Sequence, residues 1–450
     1  MKKMVILGAG SAMFTQGLVM DLIKNPGPNS WELALVDIEE ETLVAMERLV
    51  KKMIAAKGAD IKVTASVDRR EVLSQADYVI CTIGVGGRRA WEQDVFIPRK
   101  YGIYQPVGDT AMPGGISRAM RMVPAILDIL KDVRELCPRA FFFNYSNPMA
   151  IICRAVRKAE AFPIVGLCIG VPSTEWYIAD FVGLAKEKVT SLSVGINHLT
   201  FMYDFRYEGK DAWPLVREKL DKEFCEDFDE NVLDRFYSTQ AEYFYLGEPF
   251  GWTFFQKCGA FPAPGDRHVT EFFTEQFPGG EYYGHKLGVN AYSFEGVVKE
   301  GDAIHEQAMA LAMSDEPLPE EFFTHMHGEH EQLMEIINSI ERDERKIFSV
   351  NVPNCGCVTN LPYHAVLEMP AVATAKGFRP LHIEDYPDRF AGIINRHLSV
   401  IEMAADAALT GSRELFEEAI LMGGYITDRK AVHDMVGELL EAQKQYLPGF

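Results

Sequence analysis

Six short apolar runs, separated by longer helical patterns, leave the first half of this chain few ways to fold. They lie at residues 4–7, 32–37, 61–65, 78–83, 140–145 and 164–168. A strand wetted on one face alternates apolar and polar residues, whereas a strand buried on both faces stays apolar throughout. Residues 78–83 and 140–145 are of the second kind. Residues 39–56 and 117–136 read as helices between such strands. Alternation of this sort implies an α/β fold with a doubly wound parallel sheet. The second half changes character. Long mixed helical segments are expected at residues 211–226, 301–313, 320–341, 393–408 and 413–423. Loops rich in Pro, Gly and Asn are expected at 261–268 and 351–362.

Gly8-Ala9-Gly10-Ser11 directly follows the first apolar run and opens a helix. Glycines at that turn let the backbone approach a pyrophosphate, and the helix N-terminus favours its negative charge. The third glycine of the usual G-x-G-x-x-G pattern is replaced by Met13. Asp37 ends the second run, 27 residues after Gly10. A carboxylate there accepts from ribose hydroxyls and repels a 2′-phosphate, which selects NAD over NADP. Thr82, Gly84 and Asn144, at the ends of the fourth and fifth runs, are the other residues expected at the cofactor. The plainer reading of the same residues is a tight βα turn and a capping aspartate. The expected organisation is an N-terminal Rossmann-like domain over residues 1–170. It packs on a mixed, mainly helical α+β domain over residues 171–450, with one cleft between them.

The chain has 45 Lys and Arg against 65 Asp and Glu, a formal charge of −20. That balance argues against nucleic acid or an anionic membrane as the main partner, since both demand a basic footprint. No run reaches the roughly 18 uncharged apolar residues of a membrane helix. The basic start and apolar run at the N-terminus imitate a signal peptide, but the run is short and flows into the glycine turn. A cytoplasmic protein is expected. Eight cysteines scattered over 450 residues fit reduced thiols rather than a disulfide framework. Cys355-Gly356-Cys357 by itself does not make a zinc site.

Several ordered motifs run through the whole chain. They are Asp94-x-x-Ile97-Pro98-x-Lys100-Tyr101-Gly102, Gly108-Asp109-Thr110-x-x-Pro113-Gly114-Gly115 and Asn144-Tyr145-Ser146-Asn147-Pro148-Met149, then Gly195-Ile196-Asn197-His198, Asn351-Val352-Pro353-Asn354 and Asn360-Leu361-Pro362. With these motifs the chain resembles glycoside hydrolase family 4, the NAD- and metal-dependent glycosidases. Gly265-Asp266-Arg267-His268 followed by Glu271-Phe272 looks most like the α-galacturonidase and α-glucuronidase branch, as does Tyr104-Gln105-x-x-Gly108-Asp109-Thr110.

The resemblance implies an unusual chemistry. The sugar C3 hydroxyl gives a hydride to NAD+, the ketone acidifies the C2 proton, and the glycosidic bond breaks by elimination. Water then adds and the hydride returns, so the two flanking carboxylates of ordinary glycosidases are not required. By the same resemblance Cys168 and His198 hold a divalent metal, usually Mn2+. Asp266 is the expected base, with Tyr282 or Tyr283 as alternatives, and Asp109 is the expected acid. Asn147 and Asn144 are expected to meet sugar hydroxyls and cofactor. Arg118, Arg267 and His268 are expected to bind a substrate carboxylate, because a guanidinium fork matches carboxylate geometry. A homodimer or homotetramer is also implied. Read without the family, Cys168 is an ordinary buried thiol, His198 a structural histidine, and both aspartates are loop caps.

The chain departs from the pattern at one place. The uronidase branch reads Cys-His-Glu at the metal cysteine, whereas here Cys168 is followed by Ile169 and Gly170. Isoleucine can neither ligate a metal nor transfer a proton. Other readings are therefore a sulfosugar or neutral α-hexoside as substrate, a sugar or 2-hydroxy-acid dehydrogenase, and a non-catalytic NAD- or sugar-binding relative.

Overall fold

The computed structural model describes residues 1–223, 228–239, 244–324, 332–447 and 449. All six expected strands form: β1 (Lys2–Leu7), β2 (Trp31–Val36), β3 (Ile61–Ser66), β4 (Tyr78–Cys81), β5 (Phe141–Asn144) and β6 (Ile164–Gly166). They pair in parallel in the order β3-β2-β1-β4-β5-β6. That is the strand order of dinucleotide-binding folds, with its switch point between β1 and β4. Parallel neighbours need crossovers, and helices Ala12–Lys24, Glu40–Lys57 and Pro113–Leu136 are among those that supply them.

The sheet does not stop at β6. Two antiparallel pairs continue it and form the β part of the expected mixed α+β second half. One pair is β7 (Val189–Ile196) with β8 (Leu199–Tyr207), turning at Asn197-His198. The other is Ile347–Pro353 with Val366–Thr374. The full order from one edge is Phe261–Ala263, β8, β7, Val366–Thr374, Ile347–Pro353, β6 and then the parallel set. These strands hide from a periodicity reading. Ser and Thr interrupt β7, its register with β8 shifts between Leu192 and Ser193, and prolines sit at 353 and 370. Residues 351–353, expected in a loop, end a strand.

The expected helices shift at their ends. Residues 211–226 become Trp213–Glu223, with 224–226 outside the described residues. Residues 301–313 extend to Phe294–Met313. Residues 320–341 contain Glu320–Thr324 and Leu333–Arg342, with 325–331 outside the described residues. Residues 393–408 lie within Asp388–Thr410, and Arg413–Gly423 matches. Helix Asp388–Thr410 packs on Pro113–Leu136 and Met149–Lys158, so C-terminal helices cover the N-terminal sheet. Among the described residues, no helix is long and apolar enough to cross a membrane.

One buried ion pair ties three helices together, Gly87–Lys100, Pro113–Leu136 and Arg429–Gln443. Arg121 Nη1 and Nη2 donate to Asp94 Oδ1 and Oδ2 at 3.0 and 2.6 Å, with both side chains essentially sealed from solvent. Ser117 Oγ and Gln443 Nε2, the latter from the C-terminal helix, also donate to Asp94 Oδ1. Removing one partner strands a buried charge, which costs about 3–5 kcal/mol. Asp94→Ala should therefore lower unfolding stability by about that amount in a urea titration. A change below about 1 kcal/mol would show that water reaches Arg121.

Candidate functional site

The glycine turn after β1 is shaped by contacts that only glycine permits. Gly8 has φ of +90°, and a Cβ there would lie 2.8 Å from the backbone nitrogen of Ile83. Thr82 Oγ1 donates to the carbonyls of Leu7 and Gly8, both at 3.1 Å, and so clamps the turn to β4. Asp37 Oδ2 accepts from Gly10 N at 2.7 Å, and its Oδ1 accepts from Glu39 N at 3.1 Å. Asp37 thus stands beside the turn at the end of β2. Ser11 Oγ caps helix Ala12–Lys24 by accepting from Phe14 N. Gly84 is exposed at the same switch point. Asn144 Nδ2 donates to Ser146 O, and its buried Oδ1 has no partner. The residues expected at the cofactor therefore line one edge. Met13 is half exposed, so no third glycine is needed for close packing.

A second group gathers at the ends of β6 and the β7–β8 turn. Ligand atoms of Asp109, His198 and His268 lie within 4.8 Å of one another. The His198 and His268 rings are 4.2 Å apart, and Cys168 is close enough to raise the His198 pKa. Thr110 Oγ1 donates to Asp109 Oδ1 at 2.9 Å and lies 2.8 Å from His198 Nδ1. Asn147 Nδ2 donates to Asp109 Oδ2 at 3.0 Å. Cys168 Sγ accepts from Gly170 N at 3.4 Å. His198 sits in the left-handed region with φ of +68°, the strained position of a tight hairpin turn. Sequence reading placed Asp109 and His268 elsewhere in the reaction, whereas the structure sets both beside Cys168 and His198.

Burial alone would push the Asp109 carboxyl up, but the His198 hydrogen bond and charge, with His268 and Arg118, hold it below the usual carboxylate range. An aspartate kept ionised in this way is a ligand or proton acceptor, not a proton donor. Burial alone would lower the His198 pKa, but Asp109 and Cys168 outweigh it and raise it. Burial and the neighbouring His198 push His268 down. The donor set is one carboxylate, two imidazoles and a thiol, and the buried His268 Nδ1 has no partner. These residues fit a first-row divalent transition metal.

Asp266, expected as the base, is spent elsewhere. Its fully buried carboxylate accepts from Phe250 N and Gly251 N, both at 2.7 Å, and from the Tyr282 hydroxyl. Glu248 Oε2 in turn accepts from Asp266 N. Asp266 thereby fixes the short helical turn that carries Arg267 and His268, and the alternative Tyr282 is consumed with it. Tyr283 stands near the Thr253 hydroxyl, at 3.5 Å. Arg118 lies over the Trp91 ring at 6.0 Å and near Gly84. It has no carboxylate within ion-pair distance among the described residues, and burial lowers its pKa. Arg267 likewise lacks such a partner among the described residues, and its Nε is buried and unsatisfied.

Three supporting residues escaped the sequence reading. Thr110 bridges Asp109 and His198. Glu271, quoted there only as part of a motif, accepts from Val107 N and Gly108 N, both at 2.7 Å, and so holds the Asp109 turn. Glu368 accepts from Asn197 Nδ2 at 3.1 Å and Asn351 Nδ2 at 3.3 Å. Only the adjacency of Thr110 to Asp109 offered a signal, because the bonds of Glu271 to Val107 and of Glu368 to Asn197 span more than 160 residues.

The model described as family 4 glycosyl hydrolase matches residues 3–184, and that of the family 4 glycosyl hydrolase C-terminal domain matches residues 193–423. An alpha-glucosidase of Erwinia rhapontici is 29% identical, with 99% of this chain and 98% of that protein covered. An alpha-galactosidase of Rhizobium meliloti (strain 1021) is 30% identical, with 100% and 89% covered. An alpha-galacturonidase of Lachnoclostridium phytofermentans is 28% identical, with 99% and 97% covered. Among solved structures, a 6-phospho-alpha-glucosidase from gut microorganisms in complex with NAD and Mn2+ has the same fold. Its TM-score is 0.83 at 19% identity, over 100% of this chain and 99% of that one.

Burial raises the Glu271 carboxyl to about 7, against the bonds from Gly108 and Val107. Its unfolded value is about 4.3. The folded state thus binds this proton more tightly, and the stability it contributes is full below about 4.3 and is lost as pH rises to about 7. Glu271→Gln keeps an acceptor for the two N–H groups but cannot titrate. Melting curves at pH 5 and pH 7.5 should show a smaller drop for the variant than for the parent. An equal drop would mean that Glu271 is not buried in its neutral form.

Proposed function

The chain belongs to glycosyl hydrolase family 4, and from that premise we propose an NAD+- and divalent-metal-dependent glycosidase whose substrate is an α-linked uronide, a galacturonide or glucuronide. The uronide reading rests on one observation: Arg118 and Arg267, two guanidinium groups without carboxylate partners among the described residues, beside the Asp109–His198–His268 group. A guanidinium set near a catalytic group with no protein anion to satisfy it suits a substrate carboxylate.

The cofactor site in this reading is the switch point. Gly8 and Gly10 admit the pyrophosphate to the backbone, Ser11 caps the receiving helix, and Asp37 meets the ribose hydroxyls. Thr82 and Gly84 border the cofactor, and Asn144 offers its free Oδ1. Cys168, His198, Asp109 and His268 are the residues that would hold the cation. When bound, NAD+ supplies a hydride acceptor and the cation an electrophile for the sugar oxygens. The protein's own part is positioning. Thr110 and Asn147 orient the ionised Asp109, and Asn147 also borders the sugar. Arg118 and Arg267 grip the carboxylate. Asp266 keeps His268 in place from behind. Ile169 and the ionised Asp109 leave no proton donor at the positions expected for one, so the leaving oxygen takes its proton from another source.

A neutral α-hexoside is the second reading, favoured by the similarity to an alpha-glucosidase and an alpha-galactosidase. A panel of p-nitrophenyl glycosides with NAD+, Mn2+ and a thiol reductant, run in D2O, separates the two. The expected result is release from an α-uronide that needs both additions, with deuterium at C2 of the product and no net NADH. Steady NADH formation without cleavage would indicate a dehydrogenase. Arg118→Ala should cost the uronide about 10- to 100-fold in kcat/KM, the loss of a charge-assisted hydrogen bond, and spare neutral glycosides. A uniform loss on both would remove Arg118 from the carboxylate site. Cys168→Ser should lose tight metal binding, read by direct titration of the metal, and retained affinity would remove the thiol from the cation site.

A further inference from the structure

The segment that joins β4 to helix Gly87–Lys100 is pinned at every residue. Thr82 Oγ1 holds the carbonyls of Leu7 and Gly8. Ile83 O accepts from Ser146 Oγ, and Gly84 O accepts from Gly87 N, both at 2.8 Å. Val85 is gripped at both backbone groups by helix Pro113–Leu136. Its N–H donates to Met122 Sδ at 3.3 Å, and its carbonyl accepts from Arg121 Nε at 2.9 Å. Gly86 has φ of +78°, and a Cβ there would lie 2.8 Å from Tyr446 Cε2. The Tyr446 ring thus fills the space that a side chain at 86 would need.

Two of these holds come from the far end of the chain. Arg121 is aimed by Asp94, and Asp94 Oδ1 accepts from Gln443 Nε2 at 3.0 Å, across 349 residues. The same Nε2 donates to Ala90 O at 2.8 Å, and Ala90 N in turn donates to Gly86 O at 3.1 Å. Gln443 is buried, and Tyr446 follows it in the short helical turn Lys444–Tyr446. Glu438 extends the contact, accepting from Lys100 Nζ at 2.7 Å and from the Tyr101 hydroxyl at 2.6 Å. Asp94, Lys100 and Tyr101 all belong to the motif over residues 94–102. Three of its side chains are therefore spent on helix Arg429–Gln443.

The strand order says what this segment faces. In the reading above, Asp37 at the end of β2 meets the adenosine ribose, and Gly8 and Gly10 at the end of β1 meet the pyrophosphate. A dinucleotide lies across the switch point, so its other half continues over β4 and onto residues 82–86. That half carries the nicotinamide. We propose that Gln443 and Tyr446 are positioning residues for NAD+, holding residues 82–86 in the conformation that receives the nicotinamide half. This inference rests on the cofactor reading above. Gln443 acts through Asp94 and Arg121 on Val85, and Tyr446 acts through its ring against Gly86.

Titration calorimetry with NAD+ and with ADP provides the test, because ADP ends at the pyrophosphate and does not reach residues 82–86. Gln443→Met keeps the volume and loses both donated bonds. That variant and Tyr446→Ala should each weaken NAD+ binding about tenfold, the net worth of about one hydrogen bond, and leave ADP binding unchanged. Tyr446→Phe keeps the ring and should bind NAD+ as the parent does. Tyr446 is only partly buried, so its two variants carry the test if Gln443→Met misfolds. An equal loss of NAD+ and ADP affinity would reveal general loosening and overturn the proposal. So would NAD+ affinity that neither Gln443→Met nor Tyr446→Ala changes, or a Tyr446→Phe variant as weak as Tyr446→Ala. A parent that binds NAD+ but not ADP would place the affinity away from the glycine turn and overturn it too. A parent that binds neither nucleotide would instead sink the cofactor reading itself.

Discussion

A single row of residues across four strands holds the functional site together. Gly166 on β6 pairs with Asn351, Asn351 with Glu368, and Glu368 with Gly195 on β7. The end members must lack a side chain. A Cβ on Gly166 would lie 2.6 Å from Met149 Sδ, and one on Gly195 would lie 2.1 Å from Leu199 O. Between them Glu368 is buried, and burial raises its pKa against the bonds from Asn197 and Asn351. A buried carboxyl costs several kcal/mol unless its lone pairs are met. Here both amides donate to the same oxygen. Cys168 stands two residues past Gly166, and His198 three past Gly195. The row therefore sets a thiol from the parallel half beside an imidazole from the antiparallel half.

The remaining members of the group arrive on turns, and each turn is held by a buried acid that does not itself join them. Glu271 gathers the N–H groups of Val107 and Gly108 and so presents Asp109. Asp266 gathers those of Phe250 and Gly251, Glu248 takes that of Asp266, and together they present Arg267 and His268. A buried acid that accepts several backbone donors fixes a loop, because in a low dielectric no water can replace a bond that is lost. Precision in the group is thus set by Glu271, Glu248, Glu368 and Asp266, which sit behind its turns and strands.

This division explains which parts were legible in the sequence. β1 to β6 announced themselves because a strand buried on both faces cannot alternate, and Gly8, Gly10 and Asp37 because their spacing is local. β7 and β8 did not, since Ser and Thr break the apolar pattern of the first and a register shift divides their pairing. Asp109, His198, His268 and Cys168 were picked out as chemical groups, yet their grouping depends on pairings such as Asn351 with Gly166, which no spacing reveals. Asp266 was read as the base from its place in the family pattern, within the Gly-Asp-Arg-His run. The structure shows three donors converging on that carboxylate instead.

The departure at Ile169-Gly170 belongs to this architecture as well. A Cβ on Gly170 would lie 2.9 Å from Pro264 Cβ and 3.4 Å from Cys168 Sγ. Any side chain at 170 would push the Pro264–Gly265 turn outward, and with it the residues that Asp266 and Glu248 hold in place. His268 could then no longer rest its ring against His198. The missing side chain at 170 and the close approach of the Gly265–His268 turn go together in this structure. Glycine at 170 thus leaves room for the turn that brings the His268 ring to 4.2 Å from the His198 ring.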